Sequence, residues 1–201
     1  MTATSARYRV LLSVGSDGSR VGLMTYVPCV VESVRVHVLT GQHVVLLQGR
    51  GSERLLPIWI GPDQAHSIAV RIAGLQSERP LTHDLMIDML GKVGAEITRV
   101  VVKDLVDDVN GSGVFHGSVF LQHSGQEVEV DSRASDAIAL AVRVGARILV
   151  TDEVFDRSSI ASEGSEEDDG KLHVFRQFID TLPDEPSGRP REPGEPPQTA
   201  G

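Results

Sequence analysis

The chain has 201 residues, a formal net charge of −9 at pH 7 and a single cysteine. That length suits one domain with extensions, and a lone Cys29 excludes both an intrachain disulfide and a cysteine-cluster zinc site. Residues 1–23 carry +2, residues 24–158 carry −5 and residues 159–201 carry −6, so bulk charge attracts no nucleic acid and any such contact must rest on a local patch or on bound cations.

Residues 1–23 read as a weakly structured extension, with the turn cluster "SVGSDGSR" behind a short apolar run. No segment reaches the ~20 apolar residues of a membrane helix, and the N-terminus lacks a signal-peptide core. The expectation is a cytoplasmic protein with no membrane role. From Val30, "VVESVRVHVL" alternates as a half-buried strand, followed by the strands "VVLLQG" and "RLLPIWIG". Gly61-Pro62 then opens a helix, with proline where a missing N–H costs nothing. Ala65, Ile68, Ala69 and Ile72 lie on one face of it, and Gly74 ends it.

"RPLTHDLMIDMLGKVG" predicts a second helix, with Thr82 as N-cap and an apolar stripe of Leu85, Met86, Met89, Leu90 and Val93. Three strands follow, "EITRVVVKDL", "GVFHGSVFLQH" and "EVEVDS", then a helix at 135–145 and a short strand "RILV". The order is three strands and a helix, a linking helix, then three strands and a helix. An offset of 72 lays Ile58 on Val130, Ala65 on Ala137, Ala69 on Ala141 and Arg71 on Arg143. The fold expected is a single compact α/β (α+β) domain over 24–157, built from a duplicated three-strand-plus-helix unit. Beyond it, 158–170 reads as an acidic linker, 171–182 as an amphipathic helix and 183–201 as a Pro-rich disordered tail.

Neither a phosphate-binding glycine loop nor a Gly-x-Ser-x-Gly elbow nor a His-Glu-x-x-His motif is present. Cys29 reads as core, and His37, His116 and His123 as surface or pairing residues of strands. The informative polar residues sit at element junctions. His83 and Asp84 open the second helix. The simpler reading has Asp84 complementing the helix dipole and His83 exposed; the functional one sets both beside N–H groups that favour phosphate. In "DSRASD", Ser135 can cap the third helix and Asp136 suits its dipole, which leaves Asp131 and Arg133 unexplained. Asp131 and Asp136, with Asp84 as the third carboxylate, could hold a divalent cation, with Arg133 on a phosphate oxygen. Trp59, the only tryptophan, reads first as half-buried core and second as a stacking platform.

Taken together, "LPIWIG", "RPLTHDL", "VDSRASDAIALAVR" and "GARILVTDEVF" resemble, in order and spacing, the bifunctional nuclease domain family, over roughly residues 28 to 157. The resemblance implies a compact α/β domain with a duplicated strand–helix unit and nuclease activity on DNA and RNA. It assigns no catalytic residue. The expected roles therefore come from the chemistry of the motif residues: Asp131 and Asp136 on Mg²⁺ or Mn²⁺, His83 as general base or acid with Asp84 beside it, and Arg133 on the scissile phosphate. The alternative is a non-catalytic regulatory or protein-interaction module in which these residues are caps and salt bridges. Unpaired strand edges and the amphipathic 171–182 segment lead to the expectation of a homodimer.

Overall fold

A computed structural model describes residues 8–10, 24–37, 39–75, 77–107 and 113–161. Its strands are β1 (Tyr8–Val10), β2 (Met24–Val36), β3 (His43–Gly49), β4 (Arg54–Ile60), β5 (Ala95–Asp107), β6 (Gly113–His123), β7 (Gln126–Arg133), β8 (Arg147–Thr151) and β9 (Ile160–Ala161). The helices are α1 (Pro62–Ile72), α2 (Thr82–Lys92), α3 (Ala134–Val144) and α4 (Asp152–Ser158). The expected helix 171–182 and tail 183–201, and most of the expected linker, lie outside the described residues.

All nine strands form one sheet, in the order β7-β6-β5-β8-β2-β3-β4-β9, with β1 paired to β2 off that path. The two hairpin units flank β8, which runs parallel to β5 and antiparallel to β2. This is a mixed α/β fold with one main core. α1 (62–72) and α3 (134–144) are separated by 72 residues throughout, as the overlay predicts. The hairpins depart from that offset. Val45 pairs with Ile58 in the first unit, whereas Val130 pairs with Val119 rather than Gly117 in the second. The slip is two residues, an even number, so every side chain keeps its face.

α3 is the central helix. Eight of its eleven residues are buried, which explains its near-continuous Ala, Ile, Leu and Val content: small residues let β5, β6, β8 and α1 approach closely. Val27, Val45, Leu47, Ile58, Val100 and Val150 pack on it from the sheet. Gly145, in the left-handed region at φ 69°, ends the helix where a side chain would be strained. The opposite sheet face carries a small cluster of Tyr26, Val101, Phe120 and Leu149. It also bears a ladder of ion pairs from β5 to the edge strand β7, with Arg99 on Glu127 and Lys103 on Glu129 and Asp131. Arg99 lies over the Phe120 ring at 3.8 Å.

Several expectations are corrected. The α2 stripe is not buried: Leu85, Met86, Met89 and Val93 are 43 to 63 % exposed, and His83 is the one buried residue of that helix. Helical periodicity marked the right face, but the neighbouring elements leave a cleft there instead of a core. Thr82 is the first helical residue and not the cap; Leu81 holds that position, and its N–H donates to Asp84 Oδ2 at 2.9 Å. Ser135 is not a cap either, because α3 starts one residue earlier, after Arg133, and Ser135 is buried in its first turn. Trp59 is 51 % exposed, on the outward side of β4 between buried Ile58 and half-buried Ile60. Within the N-terminal extension, Tyr8–Val10 pairs with Met24–Tyr26, and past the expected domain end β9 adds a short edge to β4. Cys29 is core, as expected, and burial pushes its thiol up to about 12. Among the described residues no helix is long and apolar enough to cross a membrane.

Candidate functional site

Three helices meet at the site. α1 opens at Gly61-Pro62 and turns Ser67 inward, between Ala65 and Ile68. α2 opens at Thr82 and places His83 in its first turn. α3 opens at Ala134 and places Asp136 likewise. Ser67 Oγ lies 2.9 Å from His83 Nδ1, and His83 Nε2 lies 3.3 Å from Asp136 Oδ1. Arg133 closes the chain, donating from Nε to Asp136 Oδ2 at 2.6 Å and from Nη2 to Oδ1 at 3.1 Å. The Asp136 carboxylate raises the Arg133 pKa further above its ordinary value.

The proton arrangement follows from the partners. An ionised carboxylate only accepts, so His83 Nε2 must carry the hydrogen facing Asp136. Nδ1 of the neutral ring is then an acceptor, and the Ser67 hydroxyl donates to it. A nucleophile-type hydroxyl, an imidazole and a carboxylate are thus joined in the order used for proton transfer. Ser67 and His83 are 4 % and 7 % exposed, so both are packed on nearly all sides.

This network forms the polar end of a cleft of about 830 Å³. Its apolar wall comes from Met86, Met89 and Leu90 of α2 and from Val119, Leu121 and Val130 of the β6–β7 hairpin. His66, Asp63 and Gln64 of α1 add polar groups near the mouth. Ser132 also lines the cleft, and its buried Oγ has no hydrogen-bond partner among the described residues. Gly117 keeps the junction close. A Cβ there would sit 3.0 Å from Ala134 Cα and 3.1 Å from Ala134 N, so any side chain at this position would press the β7–α3 turn back by a few tenths of an ångström.

Of the residues expected from sequence, the structure brings together His83, Asp136 and Arg133. Asp131 borders the cleft, but its carboxylate belongs to the other sheet face, because it pairs across β6 at Ser118, one position from core-facing Val119. Lys103 Nζ holds it at 2.9 Å and lowers its pKa. Asp84 is engaged elsewhere, taking the Arg143 Nε at 2.7 Å and the Leu81 N–H. Burial pushes its carboxyl up, but those donors outweigh burial and leave it below its ordinary value. Sequence reading missed Ser67. Its one signal is an inward position beside Ile68 on α1, which a small buried serine also satisfies without function.

The donors do not fit a resident divalent cation. Asp131 and Asp136 are each neutralised by a cationic side chain and face different sides of the sheet. No three His, Cys, Asp or Glu side chains among the described residues gather as a metal site.

Two proteins of Mycobacterium tuberculosis, one from each of two strains and both described as uncharacterized, are 32 % identical to this chain over 159 residues. The matched stretch covers 76 % of this chain and 92 % of each relative. Residues 44–163 match the family model of the bifunctional nuclease domain, a span that holds Ser67, His83, Arg133 and Asp136 along with both strand–helix junctions. The chain belongs to the bifunctional nuclease domain family.

Proposed function

We propose that the protein hydrolyses phosphodiester bonds of DNA and RNA in the cleft between α2 and the β6–β7 hairpin. The observation that carries this reading is His83 held between Ser67 and Asp136 beside Arg133, in a chain of this family. Arg133 is 66 % exposed and commits two of its five N–H groups to Asp136, so the others are available to a phosphate oxygen. Asp136 fixes the His83 tautomer. His83 Nδ1 accepts the Ser67 hydroxyl proton while Ser67 Oγ accepts a proton from a water in the cleft. That water's oxygen bonds to phosphorus, and the phosphorus–oxygen bond to the leaving group breaks with its electron pair on the departing oxygen. Solvent protonates that oxygen. Ser67 works as a relay and not as nucleophile, in keeping with its burial in the second turn of α1 at the wall of the cleft.

No step is routed through Mg²⁺ or Mn²⁺, since the residues present do not fit a protein-held ion. The assay therefore has three arms: purified protein with single-stranded DNA and RNA in Mg²⁺, in Mn²⁺ and in chelator. Cleavage that is retained in chelator and lost in His83→Ala supports the relay. Cleavage of undiminished rate in His83→Ala removes it.

One observation favours a second reading, the non-catalytic interaction module. Every member of the network is already paired, and the network ties α1, α2 and α3 together as staples would. That reading expects no cleavage in any arm and a lower melting temperature for the same variants. The homodimer belongs to the proposal as well: β7 is an eight-residue edge strand in which every residue but Ser132 is exposed. Light scattering of the full chain reads it directly.

A further inference from the structure

We infer that a second cleft, on the other side of Arg133, receives one nucleobase of the strand whose phosphate Arg133 holds, stacked on Trp59. The inference rests on the nuclease reading for its ligand class and on separate residues for its geometry. This cleft has a volume of about 490 Å³, the size of a small-ligand pocket. Arg133 lines both clefts, so one side chain stands between the reacting site and this pocket. A nucleotide has the matching layout, with an anionic phosphate joined through a sugar to a flat aromatic base.

Four features of the pocket suit a base. Trp59 lines it with half its surface exposed, and Phe115 lines it from the opposite hairpin. Base–aromatic stacking tolerates any base, as a site acting on both DNA and RNA requires. His43 also lines it, and its buried Nδ1 has no hydrogen-bond partner among the described residues, which offers a polar contact to a base edge. The first turns of α1 and α3 both border it, at Gly61-Pro62 and Ala134-Ser135, and neither helix start has a side-chain cap. Free N–H groups there favour a phosphate next to the base. Bulk charge points the same way. A chain of net −9 gains nothing from long-range attraction to a polyanion, so affinity must come from a short-range contact such as stacking.

Trp59 is the only tryptophan of the chain, so tryptophan emission, excited where the two tyrosines do not absorb, reports on this pocket. The full-length His83→Ala protein is titrated with a short single-stranded DNA and with the same strand made abasic throughout. Binding is followed by tryptophan emission and, independently, by the anisotropy of a label on the strand. Expected are quenching by the intact strand, no emission change with the abasic strand, and roughly tenfold weaker binding of the abasic strand. Trp59→Leu should weaken the intact strand by a similar factor and leave the abasic strand unchanged, and Phe115→Leu should do so more mildly. Equal emission changes with both strands, or unaltered intact-strand binding by Trp59→Leu with its melting temperature retained, would overturn the inference. Binding of neither strand would overturn it together with the nuclease reading. Quenching by the intact strand in a wild-type protein that cleaves nothing keeps the base pocket and rejects hydrolysis. Cleavage with abasic-insensitive binding does the reverse.

Discussion

The two strand–helix junctions, β4–α1 and β7–α3, share element order and helix span but divide the work. Gly61, Pro62 and Gln64 stand in the first where Arg133, Ala134 and Asp136 stand in the second, 72 residues on. The first junction supplies an exposed aromatic, Trp59, and the inward hydroxyl of Ser67. The second supplies the charged pair, Arg133 and Asp136. The arginines at the far ends differ in the same way. Arg71 reaches over from the surface to Val142 O and Arg143 O. Arg143, its counterpart, is buried and bonds Ala139 O and Asp84. A repeated scaffold thus brings two unlike helix starts to one place, and the asymmetry between them, rather than either copy, makes the site.

The sharpest test of that asymmetry is kinetic. His83→Ala should lower kcat for oligonucleotide cleavage by on the order of 10² to 10⁴, the usual worth of a positioned general base. Asp136→Asn should produce a comparable loss, because an amide can offer His83 Nε2 a donor where it needs an acceptor. His66→Ala, which changes a histidine at the cleft mouth outside the relay, should leave kcat within a few-fold.

A thermodynamic contrast between the paired arginines comes next. Arg143→Ala strips a side chain only 4 % exposed, removes the guanidinium donor from Ala139 O and leaves Asp84 without its cationic partner, so urea unfolding should show a loss of about 3 kcal/mol. Arg71→Ala removes hydrogen bonds at the surface and should cost about 0.5 kcal/mol. Equal losses would mean that the two copies carry load equally.

Gly117→Ala should be intermediate. The added Cβ meets backbone atoms of Ala134 that cannot rotate away, so about 2 kcal/mol is expected. The same displacement moves Arg133, so oligonucleotide affinity should fall with stability. Chemical shifts or crystallography that find the β7–α3 turn unmoved would count against this placing of Arg133.

Much of the frame was legible in the sequence because it depends on local chemistry. Pro62 at a first turn, Gly74 past the end of that helix, and the Ala-rich run expected at 135–145 made two helices and their repeat readable. What escaped reading depended on the third dimension. The α2 stripe shows helical periodicity, but periodicity cannot say whether a neighbour covers that face, and here Met86 and Met89 line a cleft. Asp131 and Asp136 lie five residues apart, yet one sits on an alternating strand and the other on a helix, so their carboxylates diverge. Ser67 carried no mark, since a buried serine on an apolar face also occurs for packing alone. The pairing of Lys103 with Asp131, across an intervening strand, needed the sheet order.

The smallest effect expected is in acid. Asp84 has its pKa lowered from 3.8, with the Arg143 and Leu81 donors outweighing burial and the nearby His83 adding slightly in the same direction. A carboxylate depressed in the folded state contributes its full stabilisation above the unfolded pKa and surrenders it as pH falls through the folded value. Its 39 % exposure screens the interaction, so the contribution near neutral pH should be about 1 kcal/mol. Asp84→Asn is then less stable than wild type at neutral pH by that amount, and the two unfolding curves approach each other once pH drops below 3.8. A gap that persists unchanged into stronger acid would show that the asparagine disturbs packing instead of charge. Arg143 would in that case be held by Ala139 O alone, and the buried arginine of the second copy would need no anionic partner.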